Sequence, residues 1–310
     1  MRIGLYTNSD KRCGNAEYAR DLANMLSKLG NDVYLFCSID NILPGLDVVL
    51  VSWSPSRVPM NSSIISRIKS TGAKVVTIWQ ESYDYIIDPG SWGVQEVLYL
   101  SDGVIAHEEV NSDMHIRYIP HGIVLRNVKP EVTKNSIGVA GFPFHWKNFE
   151  CVAQIAKQLN ATLKMIAPGH ELLSGNAGTN FDYIKSIVPS LELHTDLLPV
   201  NNVIDILASC SVLVYWFKSE GVIDALGQSG SVRMGVAACR PMILSKHRKF
   251  KTLFPYTDEF YFCDSVEEIY TTITDIFNGM IPKVPKQVLV DQGWPHVAKL
   301  YDNYLQEIVR

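Results

Sequence analysis

Four turns in the sequence carry residue types suited to holding an anion, and each follows a run that reads as a β-strand. The first is Asn8–Ala16 (NSDKRCGNA), where Gly14 stands just ahead of a helical pattern. A residue without a Cβ there lets a ligand reach the backbone and the amides of the helix start. The second is Tyr118–Ile123 (YIPHGI), with the titratable ring of His121 and a glycine, Gly122, that permits an unusual backbone turn. The third is Gly141–Asn148 (GFPFHWKN), a glycine after a strand and then Lys147 at a helix start. That pair can hold a phosphate by charge and by backbone amides. The fourth and richest is Ser219–Pro241 (SEGVIDALGQSGSVRMGVAACRP). Glu220 can accept hydrogen bonds from ribose or sugar hydroxyls. Gln228, Ser229, Gly230, Ser231 and Arg233 surround the start of a small-residue helix whose amides and hydroxyls suit a diphosphate.

Each turn also has a plainer reading. Gly14 fits an ordinary βα turn, His121 a structural turn histidine, Lys147 a solvated helix cap and Ser229 a simple N-cap. The plain reading explains the fourth helix but not the polar Glu-Gly turn ahead of it. On local sequence alone both readings stay open.

Turns of this kind must be positioned by strands and helices. Short apolar runs at Arg2–Thr7, Asp32–Phe36, Asp47–Ser52, Lys74–Ile78, Gly103–Ala106 and Ile116–Ile119 predict strands, and Ala16–Leu29 predicts a helix with Tyr18, Leu22, Met25 and Leu26 at helical spacing. The polar, proline-bearing stretch Asn127–Asn135 breaks the rhythm and reads as a linker. A second series follows through Ser136–Ala140, Asn148–Leu159, Thr162–Ala167, Leu191–His194, Val203–Ala208, Val212–Trp216, Gly230–Ala238, Met242–Leu244, Glu259–Cys263 and Val266–Phe277. The tail Trp294–Val309 carries a helical apolar stripe. Apolar strands alternating with helices predict parallel sheets covered on both faces. Two such series predict paired, doubly wound, Rossmann-like domains over 1–130 and 136–290, with 291–310 as a terminal helix.

Composition sets the outer limits. At 310 residues, 47% hydrophobic and 19% charged, the chain can fill two cores and is not disordered. A net charge of −4 argues against a broad basic nucleic-acid footprint. One local basic run, KHRKFK, places Lys246, Arg248, Lys249 and Lys251 just after a strand. It suits either an anionic partner or a solvated helix face. The six cysteines form no CxxC pair or Cys/His cluster, so no metal site is expected, and Cys37, Cys210 and Cys239 lie in apolar surroundings. With no signal-peptide-like opening and no membrane-length apolar run, the expected location is the reducing cytoplasm.

Taken together and in order, these motifs resemble GT-B glycosyltransferases, most closely glycosyltransferase family 4. The opening RIGLYT with CGNAEYARDL is similar to the CG-I-A-Y-T-x-x-L start of some polysaccharide glycosyltransferases. YIPHGI is similar to the family's V-I-P-H-G-V, VAGFPFHWKN to its glycine turn with K-G or K-N, and EGVIDALGQSGSVRMGVAACRPMIL to its acidic turn and A-x-G-x-P-V-I helix. GWPHVAKLYDNYLQEI looks like the terminal helix that crosses back to the first domain. The resemblance implies two Rossmann-like domains facing across a cleft. It further implies sugar transfer, with retention and without a metal or other cofactor, from a nucleotide-diphosphate donor, UDP- or GDP-linked, to an acceptor hydroxyl. Lys147, Ser229, Gly230 and Ser231 would hold the diphosphate with Gly14 approaching it. Glu220 would take the donor ribose or sugar, and Glu81 and His121 would lie near the acceptor. Candidate acceptors are a glycan, a lipid-linked sugar or a hydroxymethylated DNA base, as in bacterial or phage polysaccharide and DNA-modification pathways.

The sequence also departs from the family pattern. Phe142 or Pro143 stands where an arginine usually accompanies the lysine, which leaves Arg233 as a substitute. Gln228 replaces the second of two glutamates, Trp79 or Gln80 occupies the place of a common histidine, and Cys239 stands at a usual glycine. These departures keep two alternatives in view, a non-catalytic sugar-nucleotide-binding protein and a GT-B-type epimerase. The absence of GxGxxG after the first strand argues against a nicotinamide oxidoreductase.

Overall fold

Strands rich in Val, Ile and Leu become parallel when helices cover both of their faces, and they then read as unbroken apolar runs. Such runs organise the protein into two units. The computed structural model describes residues 1–10, 13–55, 58–80, 92–109, 115–127, 130–169, 178–219 and 229–310.

The first unit holds a six-stranded parallel sheet. Its strands are β1 (Arg2–Tyr6), β2 (Asp32–Phe36), β3 (Val48–Trp53), β4 (Lys74–Trp79), β5 (Gly103–Ala106) and β6 (Ile116–Tyr118), in the order β2-β1-β3-β4-β5-β6. β3 is buried along its whole length, with Val49, Val51 and Trp53 entering one core. Helices α1 (Gly14–Lys28), α2 (Ser62–Lys69) and α3 (Trp92–Leu100) belong to this unit. α2 starts at Asn61, whose side chain accepts from the Ile64 amide at 3.0 Å.

The second unit repeats the plan. Its described elements are β7 (Ser136–Ala140), α4 (Phe149–Gln158), β8 (Thr162–Ile166), α5 (Phe181–Ile187), β9 (Leu191–His194), α6 (Val200–Ala208), β10 (Val212–Tyr215), α7 (Gly230–Ala237), β11 (Met242–Ser245), β12 (Tyr261–Cys263) and α8 (Val266–Phe277). A 3-10 turn, Arg248–Tyr256, links β11 to β12, and α9 (Gln287–Gln292) leads to the last helix, α10 (Trp294–Val309). The sheet order is β12-β11-β10-β7-β8-β9, all parallel, with Ile137 opposite Leu163 and Val212. Alternate residues feed opposite faces: Val212, Val214 and Ile243 one core, Leu213, Tyr215, Met242 and Leu244 the other.

The units are not simply consecutive in sequence. Met1–Gly122 combines with Asp291–Arg310, while the described residues between Ile123 and Val290 form the second unit. α10 therefore packs in the first unit, on α1. The Tyr18 and Tyr301 hydroxyls meet at 2.7 Å, and Asn31 Nδ2 donates to Asp302 at 2.8 Å. Residues 123–127 and 130, placed by the sequence in the first domain, fall in the second unit. Ile123 joins that unit's core, and Arg126 forms a bidentate pair with Asp205. The expected linker is likewise tied down where Thr133 N donates to Ser209 O at 2.8 Å.

The cysteines differ from expectation. Cys210 is buried, but Cys37 and Cys239 are exposed, and all six are free. Cys239 adopts φ +52°, a left-handed conformation at the end of α7. That backbone explains why a glycine is the more usual choice there. No helix among the described residues is long and apolar enough to cross a membrane.

Candidate functional site

The order of the second sheet fixes where a ligand can approach. β7 and β10 are neighbours whose following connections leave toward opposite sides, so a crevice opens beyond their carboxyl ends. β7 delivers Gly141 to that point, and after β10 the chain reaches the start of α7.

Lys147 comes from the short 3-10 turn His145–Lys147 after β7. Its side chain folds inward, 6% exposed, and Nζ donates to Ser231 Oγ at 3.1 Å. Gly141 makes this possible. Its φ is +137°, and a Cβ there would lie 2.1 Å from Lys147 Nζ and 2.9 Å from Ser231 Oγ. The aromatic rings of Trp146 and Phe217 flank the ammonium at 5.4 and 5.5 Å from their centroids. Burial, and then the neighbouring charge of Lys249, bring the Lys147 pKa down to about 7. Among the described residues no carboxylate pairs with it.

Ser229 and Ser231 open α7. Ser229 stands at the N-cap in extended conformation, but its hydroxyl makes no cap bond and meets Ser231 Oγ at 2.9 Å. The plain N-cap reading therefore does not hold. The Val232 amide is satisfied by Ser229 O, which leaves the Gly230 and Ser231 amides at the open helix end. A Cβ on Gly230 would meet nothing within 4 Å among the described residues. Arg233, two residues on and 6% exposed, donates from Nη2 to Thr252 Oγ1 at 2.7 Å and ties α7 to the 3-10 turn after β11.

The basic run on that turn is not one exposed face. Lys246 is outside and pairs with Asp264 at 2.5 Å, and Lys251 is exposed. Lys249 turns in, 8% exposed, with Nζ 5.3 Å from the Trp146 ring. A 3-10 spiral brings residues three apart to one side, and Phe250 and Leu253 take that side into the core with Lys249 beside them. Glu220 and Gln228, the remaining donor-side candidates, lie outside the described residues, as does Glu81.

Candidates in the first unit separate into two places. Gly14 is already the first residue of α1, two positions earlier than the sequence suggested, and a Cβ there would meet nothing within 4 Å. Ahead of it, Thr7 just after β1 has a buried hydroxyl with no hydrogen-bond partner among the described residues. His121 packs in a ring cluster with Tyr18 at 4.5 Å and His107 at 5.2 Å, and Trp294 of α10 lies 5.0 Å from Tyr18. His121 Nδ1 donates to Gly122 O at 3.0 Å, and His107 Nδ1 to Ile119 O at 2.9 Å. A carbonyl can only accept, so Nδ1 carries a proton in each ring. Gly122 is a glycine because of close approach and not because of a special turn. A Cβ there would fall 2.4 Å from the Trp294 indole. His107 was not singled out by the sequence reading, although it directly follows β5 and the same strand-end rule would have found it.

Solved structures, and not sequence relatives, place this architecture among known proteins. No family model matches the chain, and no curated protein matches it in sequence. Solved structures do match over its whole length. HepE of Anabaena, solved with UDP, aligns at a TM-score of 0.70 and 10% identity, covering 99% of this chain and all of its own. AviGT4, a glycosyltransferase involved in avilamycin A biosynthesis, aligns at 0.67 and 13% identity over 100% and 98%. An α-glucosyltransferase solved with UDP and a 13-mer DNA aligns at 0.66 and 12% over the whole of both chains. The fold is GT-B. At these identities the likeness is one of fold, and it agrees with the two six-stranded parallel sheets. Within a GT-B protein the Lys147–Ser231 contact belongs to the second Rossmann-like unit and the histidine cluster to the first.

Proposed function

We propose that the chain is a retaining, metal-independent glycosyltransferase of the family 4 kind. It moves a sugar from a nucleotide-diphosphate donor, UDP- or GDP-linked, to an acceptor hydroxyl. The observation that carries this reading is the buried Lys147 ammonium on Ser231, at the amide end of α7 and at the switch point of the second sheet. As the bond from the anomeric carbon to the diphosphate oxygen breaks, negative charge grows on the leaving group. Lys147 and the α7 amides are preorganised to meet that charge, which gives the protein its own means of neutralising a diphosphate. Retention is what the family resemblance implies. Glu220 is assigned to the donor ribose or sugar, and Gly14 to the approach of the first loop. Glu81 and His121 are assigned to the acceptor side, where His107 stands against His121. The neighbours solved with UDP support a nucleotide-sugar donor, and the α-glucosyltransferase solved with DNA supports assaying hydroxymethylated DNA beside glycans and lipid-linked sugars as an acceptor.

A thermal-shift and sugar-release screen with UDP-, GDP-, ADP- and dTDP-sugars, with and without EDTA, tests this. A donor at 100 times its Kd adds about 2.7 kcal/mol of stability. One donor should stabilise the protein in the presence of EDTA, with the effect lost in Lys147→Ala and Ser231→Ala. Slow release or transfer of sugar then identifies an enzyme. Stabilisation without turnover on any acceptor supports a binding protein, and conversion of the donor without an acceptor supports an epimerase. No shift with any nucleotide sugar removes the donor-site assignment.

A further inference from the structure

The first sheet has a switch point of its own. β1 and β3 are neighbours, and the chain leaves β1 toward β2 on one side and β3 toward β4 on the other. A crevice for a ligand therefore opens beyond their carboxyl ends. Tyr6 pairs with Val51 in register, so Thr7 and Ser52 come next on the two strands. Both fall on the face opposite the core that Tyr6, Val51 and Trp53 enter. Trp79 of β4 enters that same core, and the ladder continues where Gln80 N donates to Trp53 O at 3.0 Å. Alternation then puts Gln80 on the face of Thr7 and Ser52.

A short chain of hydrogen bonds crosses this face. Gln80 Nε2 donates to Ser52 Oγ at 3.1 Å, and Ser52 Oγ donates to the carbonyl of Asn15, in the first turn of α1, at 3.4 Å. The Asn15 carbonyl sets the direction. It can only accept, so Ser52 gives it the single hydroxyl proton and accepts from Gln80. The Gln80 amide is thereby assigned with Nε2 toward Ser52 and Oε1 turned away from it. Ser52 is fully buried, but Gln80 is half-buried, and Oε1 has no hydrogen-bond partner among the described residues. Thr7, 1% exposed and on the same face, also carries an unmatched hydroxyl. Polar atoms left unmatched away from water are costly and are rarely kept without a use.

We infer that Gln80 is a specificity-determining residue for the acceptor substrate: Oε1, oriented by Ser52, accepts a hydrogen bond from an uncharged hydroxyl of that substrate. This rests on the glycosyl transfer proposed above and names a residue for its acceptor side. A carbonyl oxygen can only accept, so it suits a hydroxyl and rejects the lone pairs of a phosphate or carboxylate. It orients the hydroxyl and leaves its proton in place.

The test takes the nucleotide sugar that stabilises the protein most. It measures sugar transfer to methyl α-glucoside, to methyl β-galactoside and to an oligonucleotide bearing 5-hydroxymethylcytosine, and sugar release to water. The unaltered protein is compared with Gln80→Ala, Gln80→Glu and Ser52→Ala. Gln80→Ala should lower kcat/KM for the acceptor substrate about tenfold, mainly through KM, and should slow release to water, with the donor Kd unchanged within about twofold. Ser52→Ala frees the amide to turn over and should give a smaller loss of the same kind. Gln80→Glu keeps an accepting oxygen and should recover more of the rate than Gln80→Ala. If Gln80→Ala works at the parental rate on every acceptor, water included, transfer stands and the role of Gln80 is overturned. A fall in donor affinity and melting temperature alongside the rate would make Gln80 a support of the fold, which also overturns it. If the unaltered protein binds no nucleotide sugar, or binds one without turnover, the glycosyl-transfer reading fails and Gln80 falls with it.

Discussion

Lys147 combines a buried ammonium with a pKa brought down to about 7 from 10.5. Between those values the unfolded chain binds the proton and the folded one does not. Stability of the ligand-free protein should therefore rise as pH climbs from about 7 toward 10.5, and this gain is absent below about 7. Ligand binding has the opposite sign. A diphosphate favours the charged amine, so nucleotide affinity should weaken by up to about tenfold per pH unit above pH 7. Binding at pH 8 should take up a proton, visible as a calorimetric heat that depends on the ionisation enthalpy of the buffer. A heat independent of buffer would mean that Lys147 is already charged before the ligand arrives. The sequence marked Lys147 and Ser231 separately, because each follows a strand end. Their contact across 84 residues was not legible there. Lys249 was marked only within a basic run open to an anionic partner or a solvated helix face. A run of basic residues looks solvated until a 3-10 spiral turns one of them inward beside Phe250 and Leu253.

At the scale of elements, the start of α10 is held by a close approach. Its first residue, Trp294, lays its indole where a Cβ on Gly122 would sit, and the same ring contacts Tyr18 of α1. Gly122→Ala should displace the indole and cost about 1–3 kcal/mol, read as a lowered melting temperature. An alanine melting like the parent would show that the indole has room to move. Strands and helices of both units were readable from apolar runs and periodicity, since the inner strands such as β3, β7 and β10 are buried along their whole length and most helices carry one apolar stripe. The start of α1 was harder to place, because Gly14 and Asn15 are helical without any apolar signal. The polar stretch Asn127–Asn135 reads as a linker, and what periodicity does not show is that Thr133 is bonded to Ser209 and Arg126, just ahead of the stretch, to Asp205.

At the scale of the molecule, the described residues of the second unit all lie between Ile123 and Val290, while those of the first come from Met1–Gly122 and Asp291–Arg310. A fragment spanning 123–290 should fold alone, showing a cooperative melt and retaining nucleotide diphosphate affinity. A fragment spanning 1–122 should not, because its α1 lacks the surface that Tyr301, Val297 and Leu305 cover. Addition of a peptide spanning 291–310 should restore a melting transition to that fragment. Cooperative unfolding of 1–122 by itself would show that α10 is dispensable.

The hydroxyl contact between Tyr18 and Tyr301 joins residues 283 positions apart. A ribosome adding about 5–20 residues per second needs on the order of 10 to 40 s to travel from the end of the first sheet's strands to the last helix. Throughout that interval the apolar face of α1 waits without its cover, while the later-made unit has every residue it needs to close. The half synthesised first is thus the half completed last, and its exposed stripe is the natural place for a chaperone to hold the nascent chain.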